Sequence, residues 1–128
     1  MLNKMVGFVT TTAPDKAKAF YADRLGFTFI EDDGFALSFD AGGTLLRAAK
    51  AQSFTPSQAT VLGWEVTDIA ATVGALAARG VVFEQFNLPF LVQDALGIWT
   101  APNGDRVAWF KDPDGNTLSV SRHAADSR

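Results

Sequence analysis

Residues 8–15 and 61–68 open two passages that run through the same succession of elements, and a chain that repeats a unit of this size has few folds open to it. Phe8-Val9-Thr10-Thr11-Thr12-Ala13-Pro14-Asp15 leads into a helical pattern and then Leu25-Gly26-Phe27-Thr28-Phe29. Val61-Leu62-Gly63-Trp64-Glu65-Val66-Thr67-Asp68 leads into another, then Arg79-Gly80-Val81-Val82-Phe83. Asp15 matches Asp68, and Gly26 matches Gly80 with one extra residue in the second copy. Identity between the copies is low; what repeats is the order of elements.

Each copy opens with a strand of roughly alternating apolar and polar residues. In the first helix Ala17, Phe20, Tyr21 and Arg24 or Leu25 share one face; in the second, Ile69, Val73, Leu76 and Ala77 do. Gly26 and Gly80 stand where a helix ends on a left-handed residue. Three strands then complete each unit, expected at about 27–31, 35–39 and 44–49, and at about 81–86, 106–111 and 117–121. Asp33-Gly34, Gly42-Gly43, Asn103-Gly104 and Asp114-Gly115 mark turns. The fold class is therefore α+β, two βαβββ modules of about 1–51 and about 59–122 in a single domain of 128 residues. Residues 52–59, with Pro56 and several small polar side chains, read as the linker.

The segment 87–103 breaks the symmetry. It is rich in Leu, Phe, Val, Ile and Trp and is punctuated by Pro89, Gly97 and Pro102. A loop this long either covers a site or shields a sheet edge or a subunit contact. Within it, 98–101 can hairpin through Asn103-Gly104 onto 106–111 as an edge strand.

Eleven basic and fourteen acidic side chains leave a net charge of −3, which repels a phosphate backbone, so no nucleic acid is expected as partner. Disulfides, thiolate nucleophiles and cysteine metal sites are excluded because there is no cysteine. Met1-Leu2-Asn3-Lys4-Met5 lacks the layout of a signal peptide, and no apolar run is long enough to span a bilayer. The expectation is a cytoplasmic protein without a membrane partner.

Trp109-Phe110-Lys111-Asp112-Pro113-Asp114-Gly115-Asn116 resembles the most recognisable signature of the vicinal oxygen chelate superfamily, which takes in glyoxalase I, extradiol dioxygenases and bleomycin-resistance proteins. Asp15-Lys16-Ala17-Lys18-Ala19-Phe20-Tyr21, followed by Leu25-Gly26-Phe27, resembles that family's first helix and its exit. The resemblance covers essentially the whole chain and is specific for fold rather than activity. It implies curved mixed sheets around a concave cavity, formed within one chain or between swapped halves, and a homodimer. Asp112, Asp114 and Asn116 also have the alternation of a calcium loop, but that loop's sixth and twelfth positions are here Thr117 and His123 instead of Gly and Glu. A tight turn with Pro113 fixing φ and Gly115 at positive φ is the better reading.

In metal-using relatives, His, Gln or Glu side chains on the cavity face hold a divalent ion. By the resemblance those positions fall on Phe8, Val61, Ser119 and either Leu46 or Arg47. Two hydrocarbons and a hydroxyl make no such site, so no metal and no cofactor is expected. His123, the one histidine, lies beyond the last strand, ahead of a polar tail at 124–128.

The cavity lining expected from strand parity comprises Phe8, Thr10 and Thr12, with Val61, Gly63 and Glu65 facing them, continued by Trp109, Thr117, Ser119 and Ser121. Trp99 reaches in from the long loop, and Arg47 adds a cation. Parity sends Leu62, Trp64, Val66, Phe110, Leu118 and Val120 to the core. Trp99 and Trp109 fit either a pocket wall or plain packing. Gln93 and Asp94 either add polar specificity or are solvated.

There is no Gly-x-Ser-x-Gly elbow, no phosphate-binding glycine loop and no histidine placed to activate a hydroxyl. Glu65 is the only candidate for acid–base work, and it needs a partner for which Glu31, Arg47 and Asp94 are the choices. The expected function is metal-independent binding of a small aromatic or apolar molecule, as in a sequestering resistance-type protein. The alternative is a glyoxalase- or dioxygenase-type lyase, isomerase or oxygenase.

Overall fold

Strand β1 (Val6–Thr11) stands at one edge of a four-stranded sheet and pairs in parallel with β4 (Leu45–Lys50). In the computed structural model, which describes residues 1–124, β4 pairs antiparallel with β3 (Ala36–Asp40), and β3 with β2 (Thr28–Asp32), giving the order β1-β4-β3-β2. A second sheet has the order β5-β8-β7-β6, from β5 (Thr60–Glu65), β6 (Trp99–Thr100), β7 (Arg106–Lys111) and β8 (Thr117–Arg122). The α+β class is as expected, with two mixed βαβββ arrangements.

Contacts divide the chain into two units. The first holds Met1–Val61 together with Asp112–Asn116; the second holds Leu62–Lys111 and the chain from Thr117 on. The β7–β8 turn thus belongs to the first unit although its strands belong to the second.

In the first unit the core is one face of the sheet against the helical segment. Val9, Thr11, Leu37, Phe39, Leu46 and Ala48 are buried there with Ala17, Phe20 and Tyr21. Tyr21 and Phe39 have ring centroids 5.6 Å apart, as do Phe29 and Phe39. The expected single helix is in fact α1 (Pro14–Lys18) running into a π-helical turn, Ala19–Arg24. Leu25 N donates to Phe20 O, five residues back. Phe20 and Tyr21 are buried side by side in this widened turn. Arg24 is left exposed and Leu25 half-buried.

In the second unit α2 (Ile69–Ala78) begins at Asp68, whose Oδ1 accepts from Ala71 N at 3.0 Å. Ile69 and Val73 are buried with Ala108, Phe110, Leu118 and Val120. Leu62, Trp64, Val66 and Leu76 are only half-buried and Ala77 is exposed, so the core is narrower than the helical spacing and strand parity suggested.

The strand expected at 81–86 does not form. Phe83 makes an isolated bridge to Phe110, and the outer strand is β6, whose Trp99 pairs with Val107 and Thr100 with Arg106. This is the hairpin through Asn103-Gly104. Val81 is buried while Val82 is exposed, so this segment packs by single side chains rather than as a ladder. Among the described residues no helix is long and apolar enough to cross a membrane.

Candidate functional site

Directly paired residues of adjacent strands point to the same side of a sheet. Phe8 pairs with Arg47, and Arg47 with Ser38, so these three form a row on the face opposite Tyr21 and Phe39. Thr10, Ala49 and Ala36 form the next row. This settles the register left open by the sequence: Leu46 is buried in the core, and Arg47 is the residue beside Phe8. Its Nη1 donates to Ser38 Oγ at 3.0 Å and its Nη2 to Asp33 Oδ2 at 2.8 Å. Arg47, followed by the backbone N–H groups of Ala36 and Phe35, holds the Asp33 carboxyl well below the usual carboxylate range.

Beside β1 a cavity of about 280 Å³ is lined by Phe8, Val9, Thr10, Phe54, Thr55, Ser57, Val61 and Asn116. It lies just under the roughly 300 Å³ at which small-molecule sites begin. Phe8 and Val61 remain substantially exposed, at 61% and 41%, so the apolar wall is open to an arriving molecule. The sequence pointed to Phe8, Thr10 and Val61. It missed Phe54, Thr55 and Ser57, because the linker has no period from which to infer a facing side. The one available signal was Phe54, a bulky aromatic in an otherwise small and polar stretch.

Asn116 comes from the Asp112–Asn116 turn, which is fastened to the β1 edge and to the π-helical turn. Asp112 accepts from Tyr21 Oη at 2.6 Å and Asn116 Nδ2 at 2.8 Å through Oδ2, and from the N–H groups of Asp114 and Asn116 through Oδ1, each at 2.9 Å. Asp114 Oδ1 accepts from both the N–H and the hydroxyl of Thr12, at 2.7 and 2.8 Å. Burial works to raise the Asp114 carboxyl, but hydrogen bonds from Thr11 and Thr12 outweigh it and the net shift is downward. Burial, then the adjacent Asp112 carboxylate, pushes the Tyr21 hydroxyl far upward. Gly115 has φ +85°, and a Cβ there would lie 3.1 Å from Pro56 Cγ, so the turn presses its glycine onto the linker.

Gly63, Glu65, Trp99, Trp109, Thr117, Ser119 and Ser121 belong to the second sheet. Trp109 pairs with Ser119 and Val107 with Ser121, on the face opposite Phe110 and Leu118. Gly63 adjoins them: a Cβ built on it would lie 2.7 Å from Ser119 Oγ. Glu65, the last residue of β5, is exposed. Trp109 has the exposed Phe86 edge-on at 5.5 Å and Trp99 tilted at 6.1 Å, both tryptophans being half-buried. Thus Phe8 and Thr10 meet in the cavity with Arg47 beside Phe8, whereas Gly63, Glu65, Trp99, Trp109 and Ser119 gather on the second sheet and do not line the cavity.

Gln93 and Asp94 organise the long loop. Gln93 Nε2 donates to the carbonyls of Glu84 and Gly97, each at 2.8 Å, and its Oε1 accepts from Phe86 N at 2.9 Å. Asp94 Oδ1 accepts from the N–H groups of Leu96 and Ile98. His123 Nδ1 lies 3.3 Å from Asp105 Oδ2. The tail beyond residue 124 lies outside the described residues.

The resemblance placed metal-ligand positions at Phe8, Val61, Ser119 and either Leu46 or Arg47. Phe8 and Val61 carry no donor atom, Ser119 offers a hydroxyl, and the Arg47 guanidinium next to Phe8 repels a cation. Among the described residues no group of three or more His, Cys, Asp or Glu side chains could hold one.

The model of the Glyoxalase/Bleomycin resistance protein/Dioxygenase superfamily matches residues 4–120. Among solved structures, a superfamily member from Sphaerobacter thermophilus is similar with TM-score 0.72 at 21% identity, over 96% of this chain and 98% of that one. A glyoxalase/bleomycin resistance protein/dioxygenase from Alicyclobacillus acidocaldarius is similar with TM-score 0.71 at 17% identity, over 97% and 93%. TioX from Micromonospora sp. ML1 is similar with TM-score 0.69 at 19% identity, over 95% and 99%. At these identities the likeness is one of fold. No curated protein matches the chain.

Proposed function

The chain belongs to the Glyoxalase/Bleomycin resistance protein/Dioxygenase superfamily, and from that premise we propose that it binds a small apolar or aromatic organic molecule without a metal ion. The observation that carries this reading is the composition of the cavity wall. Phe8, Phe54 and Val61 supply apolar surface, and Thr10, Thr55, Ser57 and Asn116 supply a few neutral polar groups. None of the lining side chains is an acid or a base, and the hydroxyls have no histidine beside them in the lining. A site so built holds a molecule, as a sequestering protein does, and has no group to move a proton.

The test is metal analysis of protein purified without chelators, with titration of Zn, Ni, Mn and Fe, beside a thermal-shift screen of small ring compounds. Far less than stoichiometric metal together with saturable stabilisation by an apolar ligand supports the reading. Near-stoichiometric, tightly held metal overturns it. Ligand binding that quenches tryptophan and leaves the cavity residues unperturbed moves the site to Trp99 and Trp109 on the second sheet.

A further inference from the structure

Asn116 is the most constrained polar group of the cavity wall. It is 2% exposed, and both hydrogens of its amide point at atoms that can only accept: Thr10 O at 3.1 Å and Asp112 Oδ2 at 2.8 Å. Those partners, one a carbonyl and the other a carboxylate, fix which end of the amide is nitrogen, since the reverse orientation sets oxygen against oxygen twice. Asp112 is itself held by Tyr21 Oη and two backbone N–H groups, so the anchor does not swing. Asn116 N donates to Asp112 Oδ1, and its carbonyl accepts from Asp112 N at 3.0 Å. Of the polar atoms of Asn116 only Oδ1 takes no part in these bonds, and it is an acceptor on a residue that lines the cavity.

The other polar lining groups behave differently. Thr10, Thr55 and Ser57 carry hydroxyls, which rotate to give or accept a hydrogen bond as an occupant requires. Ser57 Oγ already accepts from Ala59 N at 3.1 Å, which leaves its hydrogen to donate. Hydroxyls of this kind tolerate donors and acceptors alike. Asn116 does not.

We propose that Asn116 Oδ1 is the specificity-determining acceptor of the cavity, and that the ligand is a compact, neutral, largely apolar ring compound presenting one N–H or O–H to it. This rests on the cavity-binding reading above and adds the ligand's polarity. A molecule that matches the wall in shape but brings an acceptor to Oδ1 leaves a buried oxygen unpaired. That costs affinity out of proportion to the single atom changed.

Indole and benzofuran form the matched pair, being fused bicycles of near-identical shape in which N–H is exchanged for a ring oxygen. Each is titrated into the intact ¹⁵N-labelled protein, following the backbone amides of Thr10 and Phe54 and the side-chain amide of Asn116. The expected result is that indole shifts these resonances and binds about 10-fold or more tightly than benzofuran. Equal affinities at the same resonances overturn the Asn116 assignment while the cavity reading stands. If neither compound, nor any hit of the thermal-shift screen, moves these resonances, the cavity reading fails and the assignment fails with it. Asn116 is left unmutated because it also holds the turn. Val61→Trp, which fills the cavity from an exposed position, serves as the second variant and is expected to abolish the indole shifts.

Discussion

Tyr21 Oη donates to Asp112 Oδ2 at 2.6 Å, in the buried interior of the first unit, joining residues 91 positions apart in the chain. Asp112 uses that bond to hold the turn that carries Asn116. Tyr21→Phe removes one of four donors to a buried carboxylate, and an expected loss of about 1–3 kcal/mol in denaturant unfolding follows.

The same pair makes a prediction at high pH. The folded protein holds Tyr21 protonated well beyond its ordinary value, so above about pH 10 only the unfolded chain releases the proton. The contribution is whole below that pH and falls by about 1.4 kcal/mol per pH unit above it. Because Tyr21 is the only tyrosine, tyrosinate absorbance reads it directly. It should appear together with loss of circular dichroism, not before; tyrosinate formed in a still-folded protein would contradict the buried hydrogen bond.

Asp114 gives the opposite sign. Its carboxyl is held below its ordinary value, so its stabilising contribution is present above about pH 4 and lost as pH falls through the depressed folded value. Asp32, Asp33 and Asp105 are lowered as well, so the overall acid slope is shared. The informative quantity is the stability difference between wild type and Asp114→Asn, expected to be about 1 kcal/mol near neutrality and to shrink below pH 4. A difference that stays constant down to pH 2 would sink the assignment.

Gly63 and Ser119 should be coupled. Gly63→Ala brings a methyl to 2.7 Å from Ser119 Oγ and is expected to cost about 1 kcal/mol. In a Ser119→Ala background the same substitution should be neutral or slightly stabilising, since alanine loses less backbone freedom than glycine. A double-mutant cycle with coupling under about 0.5 kcal/mol would contradict the contact.

Val61→Trp tests the cavity apart from the fold. Val61 is 41% exposed, so the expected change in stability is within about 1 kcal/mol while ligand stabilisation disappears. Retained ligand stabilisation in a folded variant would move the site elsewhere.

Much of the fold was legible because strands betray their faces. Val9 and Thr11 alternate with Phe8 and Thr10 as the pattern required, and Phe110, Leu118 and Val120 are core as expected. The outer strand of the second sheet was misread at 81–86 because Val81-Val82-Phe83 has β-branched, aromatic composition, whereas the actual β6 is two residues long and set by a hairpin turn. The π-helical turn left no periodic trace, since Phe20 and Tyr21 suit either helix type. At the site, Phe8, Thr10 and Val61 followed from parity. Phe54, Thr55, Ser57 and Asn116 did not, because loop and turn side chains reach the wall through tertiary contacts that no local spacing encodes.

The assignment of Asp112–Asn116 to the first unit has a consequence during synthesis. The end of β1 is tied down by Thr12 bonding to Asp114 and by Asn116 bonding to Thr10, partners 102 and 106 residues away. A ribosome making this chain releases β1 well before the turn that bonds to it. Throughout elongation the nascent first unit carries an open strand edge beside the exposed apolar residues Val6 and Phe8, the kind of template on which neighbouring chains pair. The interval before residue 116 emerges is therefore when this protein most depends on dilution or a chaperone, and slowed translation of the stretch between β4 and residue 116 should raise its aggregated fraction.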